Sequence, residues 1–276
     1  MSFFENNKVE TLAQSQAEEV QELNKREVKK MMVLYKRVRL ELIDRLNSMP
    51  KGTFTAQRMR SSLIQIDAAL LEMQRVLGKG IQESSMILGE RSSEDLIKEL
   101  NTFDKEFTGA VTPLNLDSAV VASKTSNFLF ERHQSSLTAY SKALRQDFAM
   151  ELSEAVLIGK SNYEVVGELA QKFKGEQWKL ERIARTELHN VYNIAKMENM
   201  KEVRDSGDMP DLMKTLFHPM DLRTAKDSKK LNRENPKIPI DKPFKFKWGD
   251  QERVFMAPPD RPNDRAILLP YRKDWK

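Results

Sequence analysis

Residues 181–195 read Glu181-Arg-Ile-Ala-Arg-Thr-Glu-Leu-His-Asn-Val-Tyr-Asn-Ile-Ala195. With Leu180 in front, Leu180, Ile183, Ala184, Leu188, Val191, Ile194 and Ala195 recur at about 100° per residue, the period of an amphipathic helix. Glu187 falls on the same apolar stripe. A carboxylate there is costly unless it is paired. The first candidate partner is Arg223, in Asp221-Leu-Arg223-Thr224. Asp221 and Thr224 are then expected to hold a local turn through side-chain to backbone bonds. Opposite the stripe, Arg182, Arg185, His189 and Lys196 are expected to form a positive, solvated face.

Outward from this helix, the composition changes near residue 207. Nine of the eleven prolines lie from Pro210 onward, and the chain before that is nearly proline-free. Val9 to Asn47 predicts one long helix, ended by Pro50-Lys51-Gly52. Met59, Leu63, Ile66, Leu70, Met73 and Leu77 alternate steps of four and three, which predicts a second helix packed on the first as a hairpin. Gly78-Lys79-Gly80 predicts a break, and Ser92-Ser93-Glu94-Asp95 a capped start for a helix to Phe107. Thr112-Pro113 marks a turn. Leu116 to Ile158 is again helical, with Phe128, Leu137, Tyr140, Leu144, Phe148, Leu152 and Val156 on its apolar face, and Gly159 closes it. Ser161-Asn-Tyr-Glu164 opens a short helix to Lys174, ended by Gly175, before the helix carrying Glu187.

Beyond Gly207 the pattern is short and mixed. Leu212 to Phe217 predicts a strand, and Asp221 to Leu231 a turn leading into a short helix. Phe244-Lys-Phe-Lys-Trp248 alternates apolar and basic residues, Gly249-Asp250 turns, and Arg253 to Met256 returns. Ala266 to Leu269 is a last apolar run, and Trp275 an anchor. The expected fold is mainly α: an elongated helical body over residues 1–158, then a domain over 159–276 whose residues 207–276 form a small, irregular, basic α+β module.

The chain has 276 residues and net charge +5, all of it in the last quarter. Residues 201–276 hold 18 Lys and Arg against 13 Asp and Glu, and the remainder balances at 28 each. No run of about 18 apolar residues predicts a membrane span, and no basic-then-apolar start predicts a secretory signal. Zero Cys excludes disulfides, thiolate catalysis and cysteine zinc sites, and fits a reducing cytoplasm. There is no GxGxxG, no GxxxxGK[ST], no GxSxG and no HExxH, and the histidines His133, His189 and His218 are far apart. No catalytic residue, metal or cofactor is expected. Lys245, Lys247 and Arg253, with Arg182 and His189, are the candidates for contact with nucleic acid or an acidic surface.

The ordered set Ile183-Ala-Arg-Thr-Glu187, Asn190, Ala195, then Asp221-Leu-Arg223-Thr224, then a Phe/Trp hairpin, resembles the phage Mu F-like head morphogenesis family of minor head proteins. Gly159-Lys-Ser-Asn-Tyr-Glu-Val-Val is similar to the helix that leads into that motif, and Asn263-Asp-Arg-Ala-Ile-Leu-Leu-Pro270-Tyr-Arg-Lys-Asp-Trp275 to one of the family's endings. The resemblance covers residues 155–276. Many members place an acidic residue and a His where this chain has Asp227-Ser228, and many end in a Cys pair that is missing here. A metal or catalytic role built on those positions therefore loses its ligands.

The resemblance implies a virion protein of a tailed phage, in several copies near the portal vertex, acting in head assembly, packaging or genome delivery. The implied partners are the portal protein and a major capsid or scaffold protein, with no membrane, and host cytoplasm as the place of assembly. Arg185, Thr186, Glu187, Asn190, Asp221, Arg223 and Thr224 then form a structural joint. The alternatives are a DNA-binding packaging factor that uses the basic module and a nucleotide-binding, toxin-like enzyme.

Overall fold

The computed structural model describes residues 6–50, 52–112, 114 and 118–275, with residues 118–131, 248 and 251 as backbone. Lys51, Pro113 and Leu116, and the side chains of Phe128 and Trp248, lie outside the described residues. The chain is mainly α with a small α+β module near its C-terminus. The helices are α1 (Asn7–Asn47), α2 (Ala56–Thr108), α3 (Ser118–Ile158), α4 (Asn162–Asp205) and α5 (Lys226–Glu234). The strands are β1 (Met213–Phe217), β2 (Ile238–Pro239), β3 (Phe244–Trp248), β4 (Gln251–Phe255) and β5 (Ile267–Tyr271). Among the described residues, no helix is long and apolar enough to cross a membrane.

The boundary expected at residues 158/159 gives way to two compact units of interleaved segments. One comprises Met1–Arg26, Glu83–Leu129 and Arg185–Lys276, the other Glu27–Gln82 and Phe130–Ala184. We call them the first and second units.

The second unit packs four helical segments. Its core includes Met31, Tyr35, Val38 and Leu42 from α1, and Ile66, Leu70, Met73 and Leu77 from the α2 seam. Leu137, Leu144 and Phe148 come from α3, and Val165, Leu169 and Phe173 from α4. The Phe148 and Phe173 rings lie 4.3 Å apart. The buried Tyr35 hydroxyl donates to the Phe173 carbonyl at 2.6 Å, which satisfies a polar tip inside an apolar core. Gly159, with φ +71°, ends α3, and the Ser161/Glu164 capping box starts α4.

Three expected helix ends are absent, for separate reasons. A Cβ at Gly80 would lie 3.2 Å from Met31 Cγ, and one at Gly78 would lie 2.3 Å from Gln134 Nε2. These glycines admit the side chains of neighbouring helices while α2 continues through them. Ser92 and Ser93 do not cap a helix: both hydroxyls donate back to the Gly89 carbonyl inside α2. Gly175 sits within α4, where the burial of Phe173 and Leu180 on either side outweighs the roughly 1 kcal/mol of lost helix propensity.

In the first unit, β1 pairs antiparallel with β5 over five residues and with β2 over two, in the order β2-β1-β5. The β3-β4 hairpin pairs in the register Phe246↔Arg253. Phe244 and Phe246 are buried while Lys245 and Lys247 are exposed, as the alternation predicts. The core joins Leu96, Leu100 and Phe103 of α2, Met197, Met200 and Val203 of α4, and the strands. Trp275 is fully buried, edge-on to Phe103 at 5.5 Å, and its Nε1 donates to Asp104. Burial of such a ring stabilises by about 2–3 kcal/mol, so the anchor reading holds. The strand β2 was not visible in the sequence pattern.

The exposed helical glycines Gly167 and Gly175 meet nothing where a Cβ would stand. Gly175→Ala and Gly167→Ala are therefore each expected to raise stability by roughly 0.5–1 kcal/mol. A urea midpoint that falls in either variant would count against the uninterrupted α4.

Candidate functional site

Of the segments quoted for the resemblance, residues 185–195, 221–224 and 263–275 lie in the first unit, whereas residues 159–166 lie in the second. The residues of α4 from Arg185 onward are enclosed on two sides, and this changes the roles expected for its polar residues. On the side facing α2, the Lys196 ammonium pairs with Glu99, and both side chains are fully buried. The Tyr192 hydroxyl donates to Asp95 at 2.7 Å, and Asn199 donates to the Ser93 hydroxyl at 2.9 Å. Burial pushes the Glu99 carboxyl up to about 8, against the pull of Lys196.

On the side facing β5, His189 Nε2 bonds the Ala266 carbonyl at 2.6 Å. Asn193 donates to the same carbonyl at 3.2 Å and accepts the Leu268 N–H at 2.7 Å. The expected solvated face is therefore corrected. His189 and Lys196 are buried, because α4 here is covered on both sides, whereas Arg182 and Arg185 are exposed. The Arg182 guanidinium lies 4.9 Å from the centre of the Trp178 ring. The overlooked signal was the number of amides: Asn190, Asn193 and Asn199 lie within ten residues, although Asn disfavours helix interiors. Asn190 is buried, and Thr186 is half-buried.

Glu187 is buried, as its place on the stripe predicts, but Arg223 is not its partner. The Arg223 guanidinium pairs with Asp221, two residues away, and its side chain is 74% exposed. The turn itself forms as read. Asp221 Oδ1 accepts the Arg223 N–H at 2.9 Å, and Thr224 Oγ1 accepts the Asp221 N–H at 3.2 Å.

The long-range partner of this turn is Arg265. Its Nη1 and Nη2 reach Asp221 Oδ2 and Oδ1 at 2.6 Å each, and Nη2 also reaches Thr224 Oγ1 at 3.1 Å. This fork holds the Asp221 carboxyl well below the usual carboxylate range, against the opposing effect of burial and with further help from Arg223 and Thr224. Arg265 outcompetes Arg223 because it makes two short bonds and is only 19% exposed, so solvent screens it less.

A second ionic cluster adjoins the start of α5. Arg253 reaches Asp227 at 2.8 Å and Asp260 at 3.0 Å. Arg261 reaches Asp227 Oδ1 at 3.1 Å and the Ser228 hydroxyl at 2.8 Å. Burial opposes ionisation of Asp227, yet the Ser228 N–H and the two arginines hold its carboxyl low. Burial and the charge of Asp264 raise Asp260. Arg253 is thus engaged within the fold rather than presented to nucleic acid, and Lys245 and Lys247 are the exposed cations of the hairpin. Asp227 and Ser228 both form part of this cluster. Among the described residues, no group of three or more His, Asp or Glu is placed to hold a metal ion. No family model matches the chain, and neither does any curated protein or solved structure.

Two measurements follow from this geometry. Arg265→Ala strips Asp221 of its fork and is expected to cost about 1–3 kcal/mol, whereas Arg223→Ala is expected to stay within about 0.5 kcal/mol. Equal losses in urea unfolding would remove Arg265 from its assigned role.

The second measurement is pH dependence. Burial lowers all three histidines, His189, His218 and His133, the last to about 4. Each binds a proton more readily unfolded, so its contribution is complete above the ordinary 6.5 and is lost as pH falls through the folded value. The raised carboxyls Glu99 and Asp260 act in the opposite sense, losing stability as pH rises through their folded values. Removing one histidine isolates its contribution: in His133→Gln the urea midpoint is expected to depend less on pH between 6.5 and about 4, where the parent chain loses the benefit of a neutral buried imidazole. An unchanged pH dependence in that variant would refute the buried neutral His133.

Proposed function

We propose that this chain is a structural minor head protein of a tailed bacteriophage, carried near the portal vertex in several copies and acting in head assembly, packaging or genome delivery. The observation that supports this reading is the interlock of three segments that resemble the minor head proteins. The α4 motif holds the C-terminal ending through His189 and Asn193 on Ala266 and Leu268. That ending holds the Asp221–Thr224 turn through Arg265. Three stretches spread over 80 residues and more act as one joint, as a shared structural motif requires.

The chemistry of the joint favours a structural role over a catalytic one. Asp221 spends both carboxylate oxygens on arginines, Asn193 spends its amide on a strand backbone, and burial keeps His189 neutral. The proposed partners are the portal protein and a capsid or scaffold protein, reached by side-by-side helical contact. In gradient-purified particles of the phage or prophage that encodes the chain, mass spectrometry is expected to find it at a few copies per portal ring. Extracted portal complexes are expected to retain it. Heads that assemble and package normally without it, and particles that lack it, would defeat the proposal.

A second reading, a DNA contact by the basic module, draws on the exposed Lys245 and Lys247 of β3 and the exposed Lys226, Lys230 and Arg233 of α5. Such contact is electrostatic and must weaken steeply with salt. Retention of duplex DNA at low salt that is lost on changing these five residues to Gln would favour it. Absence of retention at low salt would dismiss it.

A further inference from the structure

We propose that the exposed face of α4 within the second unit pairs antiparallel with the same face of a second copy of this chain. The inference does not depend on the head-protein reading, since it concerns contact between copies rather than a portal partner. Tyr163, Gly167, Gln171, Lys174, Trp178 and Arg182 follow one another at steps of four and three, so they share one side of the helix, and all are exposed. The opposite side, with Val165, Leu169, Phe173 and Leu180, is buried in the unit. Two large aromatic side chains on the outer side stand in solvent, Tyr163 at 85% exposure and Trp178 at 54%. The Trp178 ring is held in place, with Arg182 Cζ 4.9 Å and Lys179 Nζ 5.9 Å from its centre. An exposed tryptophan oriented by its own neighbours is an anchor prepared for an interface.

Charge matches this face to its own copy. The N-terminal half carries the exposed Glu164 and Glu168, and the C-terminal half the exposed Lys174 and Arg182. Glu168 also holds Lys160 at 2.7 Å, which leaves Glu164 as the principal acid of the face. Two such faces laid side by side in parallel set acid against acid and base against base. Turned end for end about a two-fold axis, each acidic half meets a basic half, and the contact is made twice, as a self-complementary interface requires.

Shape fixes the register. Among the described residues, nothing lies within 4 Å of where a Cβ would stand at Gly167 or Gly175. Each glycine therefore gives up helix propensity with no gain inside the chain. An axis crossing α4 between Lys172 and Phe173 sets the Trp178 of one copy over the notch at Gly167 of the other, in both directions. The same axis places Arg182 opposite Tyr163 and Glu164, and Gln171 opposite Lys174. Tyr163 to Arg182 is about 28 Å of helix. One helix face of that length falls short of a standard stable interface, so the pair forms weakly.

The test is sedimentation velocity of the full chain over a range of concentrations, with cross-linking to fix the direction of pairing. The sedimentation coefficient is expected to rise with concentration as for a monomer–dimer equilibrium, with a Kd on the order of 10 µM. Gly167→Leu fills the notch at an exposed position and leaves the core untouched. It is expected to weaken the dimer at least about tenfold, and Trp178→Ala by a similar factor. Because the chain has no cysteine, a single introduced thiol reports only its own surroundings. Gln171→Cys stands within two residues of the axis, and a short bis-maleimide is expected to join two copies through it. In Tyr163→Cys the two thiols stand about 28 Å apart along an antiparallel pair, so they are expected to stay unlinked. A chain that remains monomeric well above that Kd overturns the proposal. So does a Gly167→Leu variant that associates as tightly as the parent, or efficient cross-linking through residue 163.

Discussion

The module near the C-terminus hangs on the side-chain amide of Asn193. A strand at the edge of a sheet leaves backbone donors and acceptors that must be bonded once they are buried. β5 is such an edge, since the sheet order places it beside β1 alone. Asn193 takes the Leu268 N–H and gives its own N–H to the Ala266 carbonyl, as a neighbouring strand would. The His189 ring shares that carbonyl. Once β5 is fixed, β1 and β2 pair in register behind it. Arg265, one residue before Ala266, then stands where it reaches Asp221. The α4 helix thus positions a turn that it does not itself bond.

On the other side of the same helix, specificity comes from buried charge. Lys196 and Glu99 gain little over a pair of apolar side chains, because desolvating them cancels most of their attraction. Their effect is on register. A shift of α4 against α2 by one turn would separate the two charges and leave both buried without a partner. Tyr192 on Asp95 and Asn199 on Ser93 impose the same constraint a turn above and below. Four long helices with repeating apolar seams have several sliding arrangements of similar apolar burial, and polar contacts of this kind select one.

What the sequence made legible follows how local each cause is. Helices α1 and α3, the Ser161/Glu164 cap, the Asp221/Thr224 turn and the β3-β4 hairpin depend on residues within a few positions of one another, and the sequence pattern shows them all. The glycine breaks were misread because what decides Gly78 and Gly80 is Gln134 and Met31, far along the chain. Arg265 was missed for a related reason. It lies 44 residues from Asp221, and in a chain with 46 Lys and Arg no spacing marks out one arginine as the partner. His189 was assigned to solvent because the apolar stripe was taken as the only buried face. The three asparagines nearby were the available sign that the helix was covered on more than one side.

The interleaving of segments has a consequence for biosynthesis. All segments of the second unit have been made once residue 184 has left the ribosome, whereas the first unit draws on residues from the start of α1 to Trp275. Val9 and Trp275 belong to one core although more than 250 residues separate them. Loop closure over such spans is slow. The early part of α1 and the late part of α2 therefore wait, with apolar faces uncovered, until the end of α4 and the strands arrive. During that interval, Glu99 and Asp95 have neither Lys196 nor Tyr192 to meet them. They remain hydrated, and their charge helps keep the unfinished surface soluble until its partners are made.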